Sequence, residues 1–151
     1  MITRIPQRTQ DDCVTCVVAM VMGSPYSYER VLADSEKYPK ISGEGRFISW
    51  WETYLREEGF QTAYRPFSDL YSLPRFGGSV VGLLGMYLTH RRKGHVVAVD
   101  ELGVVDPSDN APAHIALQDY VVWARTQRGA EFHKEFLRVT PSVRMPGHKR
   151  R

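Results

Sequence analysis

The chain has 151 residues, of which 42% are hydrophobic and 25% charged, with a formal net charge of +3. This composition excludes a disordered or low-complexity chain, and so mild a charge gives no ground for nucleic acid as a partner. A single domain of this size buries about 68–70% of its unfolded-chain surface, so its core needs no disulfide staples.

The N-terminal stretch MITRIPQRTQDD lacks the apolar core of a signal peptide. The apolar run from Val14 to Met22 and the glycine-interrupted GGSVVGLLGMYL are both too short to span a bilayer. A cytoplasmic protein without a membrane segment is therefore expected, with its two cysteines kept as thiols.

In chain order, a first helix is expected from Asp11 or Asp12, either of which can cap the free backbone N–H groups. Val14, Val17, Val18 and Val21, with Cys13, Cys16 and Met20, make it apolar nearly all round, which predicts a helix inside the domain. Gly23-Ser24-Pro25 ends it. SYERVLADSEKY reads as a second helix capped by Ser27. RFISWWETYLREEG reads as a third, stopped by Gly59, with Trp50, Trp51, Tyr54 and Leu55 forming a core stripe rather than a substrate platform.

From Gln61 the period changes. QTAYR, SVVGLLGM, GHVVAVD and GVVDP read as strands, with Gly77-Gly78 as an entry turn. ALQDYVVWAR reads as a helix and EFHKEFLRV as one closing strand. Helices first and strands later predict an α+β fold, with N-terminal helices packed on a C-terminal antiparallel sheet. Residues 1–143 are expected to form a single domain, and residues 144–151 a basic flexible tail.

Cys13 and Cys16 stand at the start of the first helix. A redox pair would need a preceding strand in a βαβ unit, and only about a dozen residues, Pro6 among them, come before. A zinc site could draw on His90 and His95, but across a long intervening stretch and from a helix that is expected to be buried. A core filler suits Cys16, on the apolar side. A nucleophile suits Cys13, where helix N–H groups favour a thiolate, provided that a base, a group to orient the base and an oxyanion donor are at hand.

The sequence resembles the papain-like cysteine peptidases, and among them the bacteriocin-processing (double-glycine leader) peptidases. The likeness lies in Gln7 ahead of Asp12-Cys13, the helix through Ala19-Met20 to Gly23, the block Gly94-His95-Val96-Val97-Ala98-Val99, and Asp106-Pro107. It runs over residues 4–125 and departs from the family at Val14, where a glycine is usual. The resemblance implies a papain-like fold in which Cys13 is the nucleophile, His95 the general base and acid, Asp106 the group that orients the imidazole, and Gln7 the oxyanion donor. Gln10 competes for the last role, and His114 and His133 for that of base; His90 is read as a surface residue in a basic loop.

The function implied is a thiol hydrolase, a cysteine peptidase or isopeptidase acting on a peptide or protein substrate and cutting after small residues. No cofactor or metal is expected. The alternatives are an acyltransferase, because both reactions pass through an acyl-enzyme, and a catalytically silent peptide-binding module on the same fold.

Overall fold

The computed structural model of the chain describes residues 2–9, 12–38, 50–75, 81–108 and 114–141. Helix α1, Cys13–Met22, buries every residue but Val14, as its all-round apolar sequence requires. Gly23 ends it and donates its N–H to the Ala19 carbonyl. Helix α2, Tyr28–Ser35, is capped by the Ser27 hydroxyl, which accepts from the Arg30 N–H at 3.1 Å. Helix α3, Trp50–Glu57, buries Tyr54 and Leu55. Gly59 follows with φ +93°, a left-handed turn that glycine adopts without strain. The expected start of α3 before Trp50, the Gly77-Gly78 turn and the basic tail lie outside the described residues.

The strands are β1, Phe60–Pro66; β2, Val81–Leu88; β3, Lys93–Asp100; β4, Gly103–Val105; β5, Ala130–Phe132; and β6, Glu135–Pro141. They form one sheet in the order β1-β6-β2-β3-β4, with β5 also on β2, and every pairing is antiparallel. Helix α4, Leu117–Arg128, lies between β4 and β5 in the chain. Side chains alternate between the two faces of a strand, and here both faces are covered. Leu83, Ala98, Val105, Leu137 and Val139 pack with α1, α2 and α3. Leu84, Met86, Leu88, Val97 and Val99 pack with Tyr120 and Ala124 of α4. The α+β expectation therefore holds, with one helix added on the far face of the sheet.

Two local expectations change. EFHKEFLRV is not one strand: β6 pairs with Val81–Leu83 and β5 with Met86–Leu88. Between them His133 donates its N–H to the Gly85 carbonyl at 3.0 Å, and its ring occupies the space that a Cβ on Gly85 would need. The sequence expectations hold no element at Phe67–Arg75, a 3-10 stretch whose Phe67, Leu70 and Tyr71 stand at helical spacing.

The β3–β4 hairpin brings two distant stretches of chain side by side. Its register sets Val105 opposite Ala98, so the chain beyond β4 returns beside the start of β3. Gly103 makes the turn at φ +129°, and a Cβ there would lie 2.0 Å from the Ile115 carbonyl oxygen. Gly103→Ala is expected to lower unfolding stability by about 1–3 kcal/mol. Gly94→Ala, whose Cβ meets nothing closer than 3.9 Å, should change it by no more than about 0.5 kcal/mol. Urea denaturation of the two variants checks the comparison.

Candidate active site

His95 and Asp106 are brought together by that hairpin and are almost sealed from solvent, at 4% and 1% exposure. His95 Nε2 lies 2.9 Å from Asp106 Oδ1. The same oxygen accepts from the Ser108 N–H at 2.8 Å and the Ser108 hydroxyl at 2.6 Å. Oδ2 accepts from the Tyr120 hydroxyl at 2.5 Å and faces Arg128 Nη1 at 3.5 Å. A carboxylate so surrounded by donors is held as an anion. Burial alone would raise the Asp106 pKa; the hydrogen bonds from His95, Ser108 and Tyr120 and the His95 charge carry it far below the usual carboxylate range.

The donors also decide which ring nitrogen of His95 carries hydrogen. Ser108 Oγ accepts from Arg128 Nη1 at 3.0 Å, lies 3.1 Å from His95 Nε2, and gives its single hydrogen to the anionic Asp106 Oδ1 at 2.6 Å. The carboxylate only accepts, so Nε2 is a donor and Nδ1 is the nitrogen left for another partner. Burial works to lower the His95 pKa. Hydrogen bonds with Asp106 and with the Cys13 side chain, and the charges of both, outweigh it and raise the value to about 9.

Cys13 opens α1, is 8% exposed, and its side chain is among the groups that raise the His95 pKa. Cys16, a turn later, is fully buried, and its thiol faces the Pro6 carbonyl at 3.6 Å. Burial, with the Asp12 charge second, pushes that thiol up to about 12, so it stays protonated and inert. Both cysteines are free. Val14 packs, half-buried, against the α1 side of the core.

The N-terminal segment is strapped along the Asp106–Ser108 loop. Arg4 Nε donates to the Asp106 carbonyl at 3.0 Å, Arg4 Nη2 donates to the Ser108 carbonyl, and the Gln7 N–H donates to the Pro107 carbonyl at 2.8 Å. The Gln7 side-chain Nε2 donates to the Thr9 carbonyl at 3.1 Å and lies 3.5 Å from Asp12 Oδ1. Of the two expected caps, Asp12 is the residue before α1, and its carboxylate makes no capping bond to the helix. Asp11 and Gln10 lie outside the described residues.

The other histidines are tied elsewhere. His90 Nδ1 meets the Gln127 carbonyl at 3.1 Å, His114 Nε2 meets the buried Asp100 at 2.8 Å, and His133 lies over Gly85. Among the described residues, no group of three or more His, Cys, Asp or Glu side chains is arranged to hold a metal ion. Trp51 is not a full core residue: with Tyr64, Leu83, Gly85, Val96 and His133 it lines a cleft of about 130 Å³.

Sequence reading missed Ser108, Tyr120, Arg128 and Arg4. A signal was present for two of them. Tyr120, Ala124 and Arg128 are spaced to share one face of α4, so an arginine continues an otherwise buried stripe, and a buried arginine needs an anion.

The peptidase domain of Streptococcus ComA, a bi-functional ABC transporter involved in a quorum-sensing pathway, matches 94% of this chain over 100% of its own length, with a TM-score of 0.63 at 16% identity. The peptidase domain of Streptococcus mutans ComA matches 91% of this chain over 98% of its own, with a TM-score of 0.53 at 13% identity. The chain has the papain-like fold of these peptidase domains. At such identities the likeness is one of fold, and it agrees with the fold that the sequence resemblance implied. No protein-family model matches the chain, and no curated protein matches it. No helix among the described residues is long and apolar enough to cross a membrane.

The ion pair has a pH signature. The folded pKa of His95 lies above its ordinary 6.5, so its contribution to stability is complete below that pH and is lost as pH rises through about 9. Asp106 is displaced downward, so its contribution is present above an unfolded value of about 3.9 and fades as pH falls below it. Unfolding free energy is therefore expected to decline between about pH 6.5 and 9. His95→Gln should flatten that decline in urea denaturation at stepped pH.

Proposed function

We propose that this protein is a thiol hydrolase that cleaves peptide or isopeptide bonds, with residues 1–143 as its one catalytic domain. Cys13 is the nucleophile, His95 the general acid and base, Asp106 the group that orients His95, and Gln7 an oxyanion donor. One observation carries the reading: a buried imidazole is locked through Nε2 by an ionised carboxylate, with the Cys13 thiol at a helix start near enough to raise its pKa. A structural histidine needs no such pair of partners, whereas a thiolate–imidazolium couple does.

The chemistry can be written atom by atom. The Cys13 sulfur attacks the carbonyl carbon, a C–S bond forms, and the C=O π pair moves onto oxygen. The Gln7 amide and the Cys13 backbone N–H face that oxyanion. The intermediate collapses, the C–N bond breaks, and the leaving amine takes the proton from His95 Nδ1. Water then attacks the thioester and gives a proton back to Nδ1. Collapse expels the sulfur as thiolate, and the acid product loses its proton to solvent. Throughout, Nε2–H stays on Asp106, so the ring turns neither away from the sulfur nor into the other tautomer. A nucleophile residue only 8% exposed favours a scissile bond flanked by small residues, with glycine the least hindered.

Iodoacetamide is expected to label Cys13 at least about 100-fold faster than Cys16, read by peptide mass spectrometry. The alkaline limb of that rate should fall near pH 9, where His95 loses its proton. Gln7→Ala should lower kcat on a cleaved peptide from a fluorogenic library by about 10²–10³, and Cys13→Ala should abolish turnover. Equal labelling of the two thiols, or labelling only after unfolding, would sink the assignment.

A further inference from the structure

Asp12 takes no part in the bond-making and bond-breaking at Cys13, yet it is a carboxylate only 8% exposed beside the nucleophile. Its Oδ2 accepts from the Arg8 N–H at 3.0 Å and the Tyr28 hydroxyl at 2.8 Å, and its Oδ1 faces Gln7 Nε2 at 3.5 Å. The Thr9 N–H is a further donor to it. Meanwhile the Asp12 backbone carbonyl accepts the first bond of α1, from the Cys16 N–H at 3.1 Å. One residue therefore closes the Gln7–Thr9 loop with its side chain and opens the nucleophile's helix with its main chain. The far side of the loop is fastened to α2: the Arg8 guanidinium lies 4.1 Å over the Tyr28 ring and pairs with Glu29 at 2.6 Å.

We propose that Asp12 is a positioning residue that holds the Gln7 amide in register with Cys13, so that the oxyanion donor and the sulfur act on the same carbonyl. This rests on the thiol-hydrolase reading. The Gln7 Nε2 carries two hydrogens. One is held by the Thr9 carbonyl at 3.1 Å, and the other points to Asp12 at a distance too long for a strong bond. That second hydrogen is the one released to a substrate oxyanion, and the carboxylate gives it a rest position close to where it is used. Three further donors take up the charge of Asp12 and hold it in place.

The partner set separates this role from helix capping. Asparagine caps a helix about as well as aspartate, so a capping role predicts that Asp12→Asn changes little. A positioning role predicts the opposite. The backbone N–H groups and the Gln7 amide hydrogen all donate, and an asparagine NH₂ would set a donor against a donor whichever way it turned.

The test compares two reagents on Cys13 in the full chain. With iodoacetamide the sulfur displaces iodide, a C–S bond replaces C–I, and no oxyanion forms. With p-nitrophenyl acetate the sulfur attacks a carbonyl through an oxyanion, and p-nitrophenolate leaves with the C–O pair, read by its absorbance. Gln7→Ala and Asp12→Asn are each expected to slow acetylation about 10- to 100-fold while alkylation stays within about twofold. Tyr28→Phe, which keeps the carboxylate and removes one donor, should slow acetylation in the same direction by less, and it carries the test if Asp12→Asn does not fold. If Gln7→Ala slows acetylation and neither Asp12→Asn nor Tyr28→Phe does, the positioning role is wrong and the hydrolase reading stands. If Asp12→Asn slows both reagents alike, Asp12 only maintains the fold and the proposal fails. If Gln7→Ala slows neither, both the proposal and the oxyanion role of Gln7 are overturned.

Discussion

Asp106 is a charge in the interior, and an ionised carboxylate is kept there only when nearby donors replace the water it has lost. Five donors do so, from four side chains and one backbone N–H. They come from separate parts of the chain, which the β3–β4 hairpin and the packing of α4 on the sheet bring together. His95 is on β3, Ser108 on the loop past β4, and Tyr120 and Arg128 on α4. Arg4 and the Gln7 backbone then bind the carbonyls of that same loop and draw the N-terminal segment in. The β3 edge, the helix on the far face and the start of α1 are thus registered to one carboxylate. Arg128 is as dependent on this anion as the anion is on Arg128, because a buried guanidinium also requires an acceptor.

The two cysteines show how little separation is needed to give one residue type different surroundings. Cys13 sits where α1 begins, on the His95 side of the helix start. Cys16 sits one turn deeper, among apolar side chains and near the Asp12 carboxylate, where the anion is disfavoured. The Cys-x-x-Cys spacing is therefore a consequence of helix geometry, with one thiol at the rim and one in the core.

Much of the architecture was legible from local pattern. The all-round apolar stretch from Cys13 to Met22, the Ser27 cap and the apolar runs SVVGLLGM and GHVVAVD each name their element, because burial and backbone preference act within a few residues. The break at His133 was not legible. It depends on a glycine in β2, nearly fifty residues earlier, leaving room for a ring. The role of the Asp12 side chain was not legible for a related reason. A capping residue is inferred from its own helix, whereas this carboxylate answers to the Arg8 N–H and to Tyr28 on the next helix.

By itself the sequence determined the α+β class, the helix on which Cys13 lies, and the candidates His95, Asp106 and Gln7, through spacing and resemblance. Only the tertiary structure decided that His95 and Asp106 share a hydrogen bond, that Nε2 is its donor, and that Ser108, Tyr120 and Arg128 hold the carboxylate. The physical reason is one of range. Helix and strand formation is governed by neighbours a few positions apart. A buried charge is satisfied by whichever donors the packed chain brings within about 3 Å, and their distance in sequence has no bearing on that.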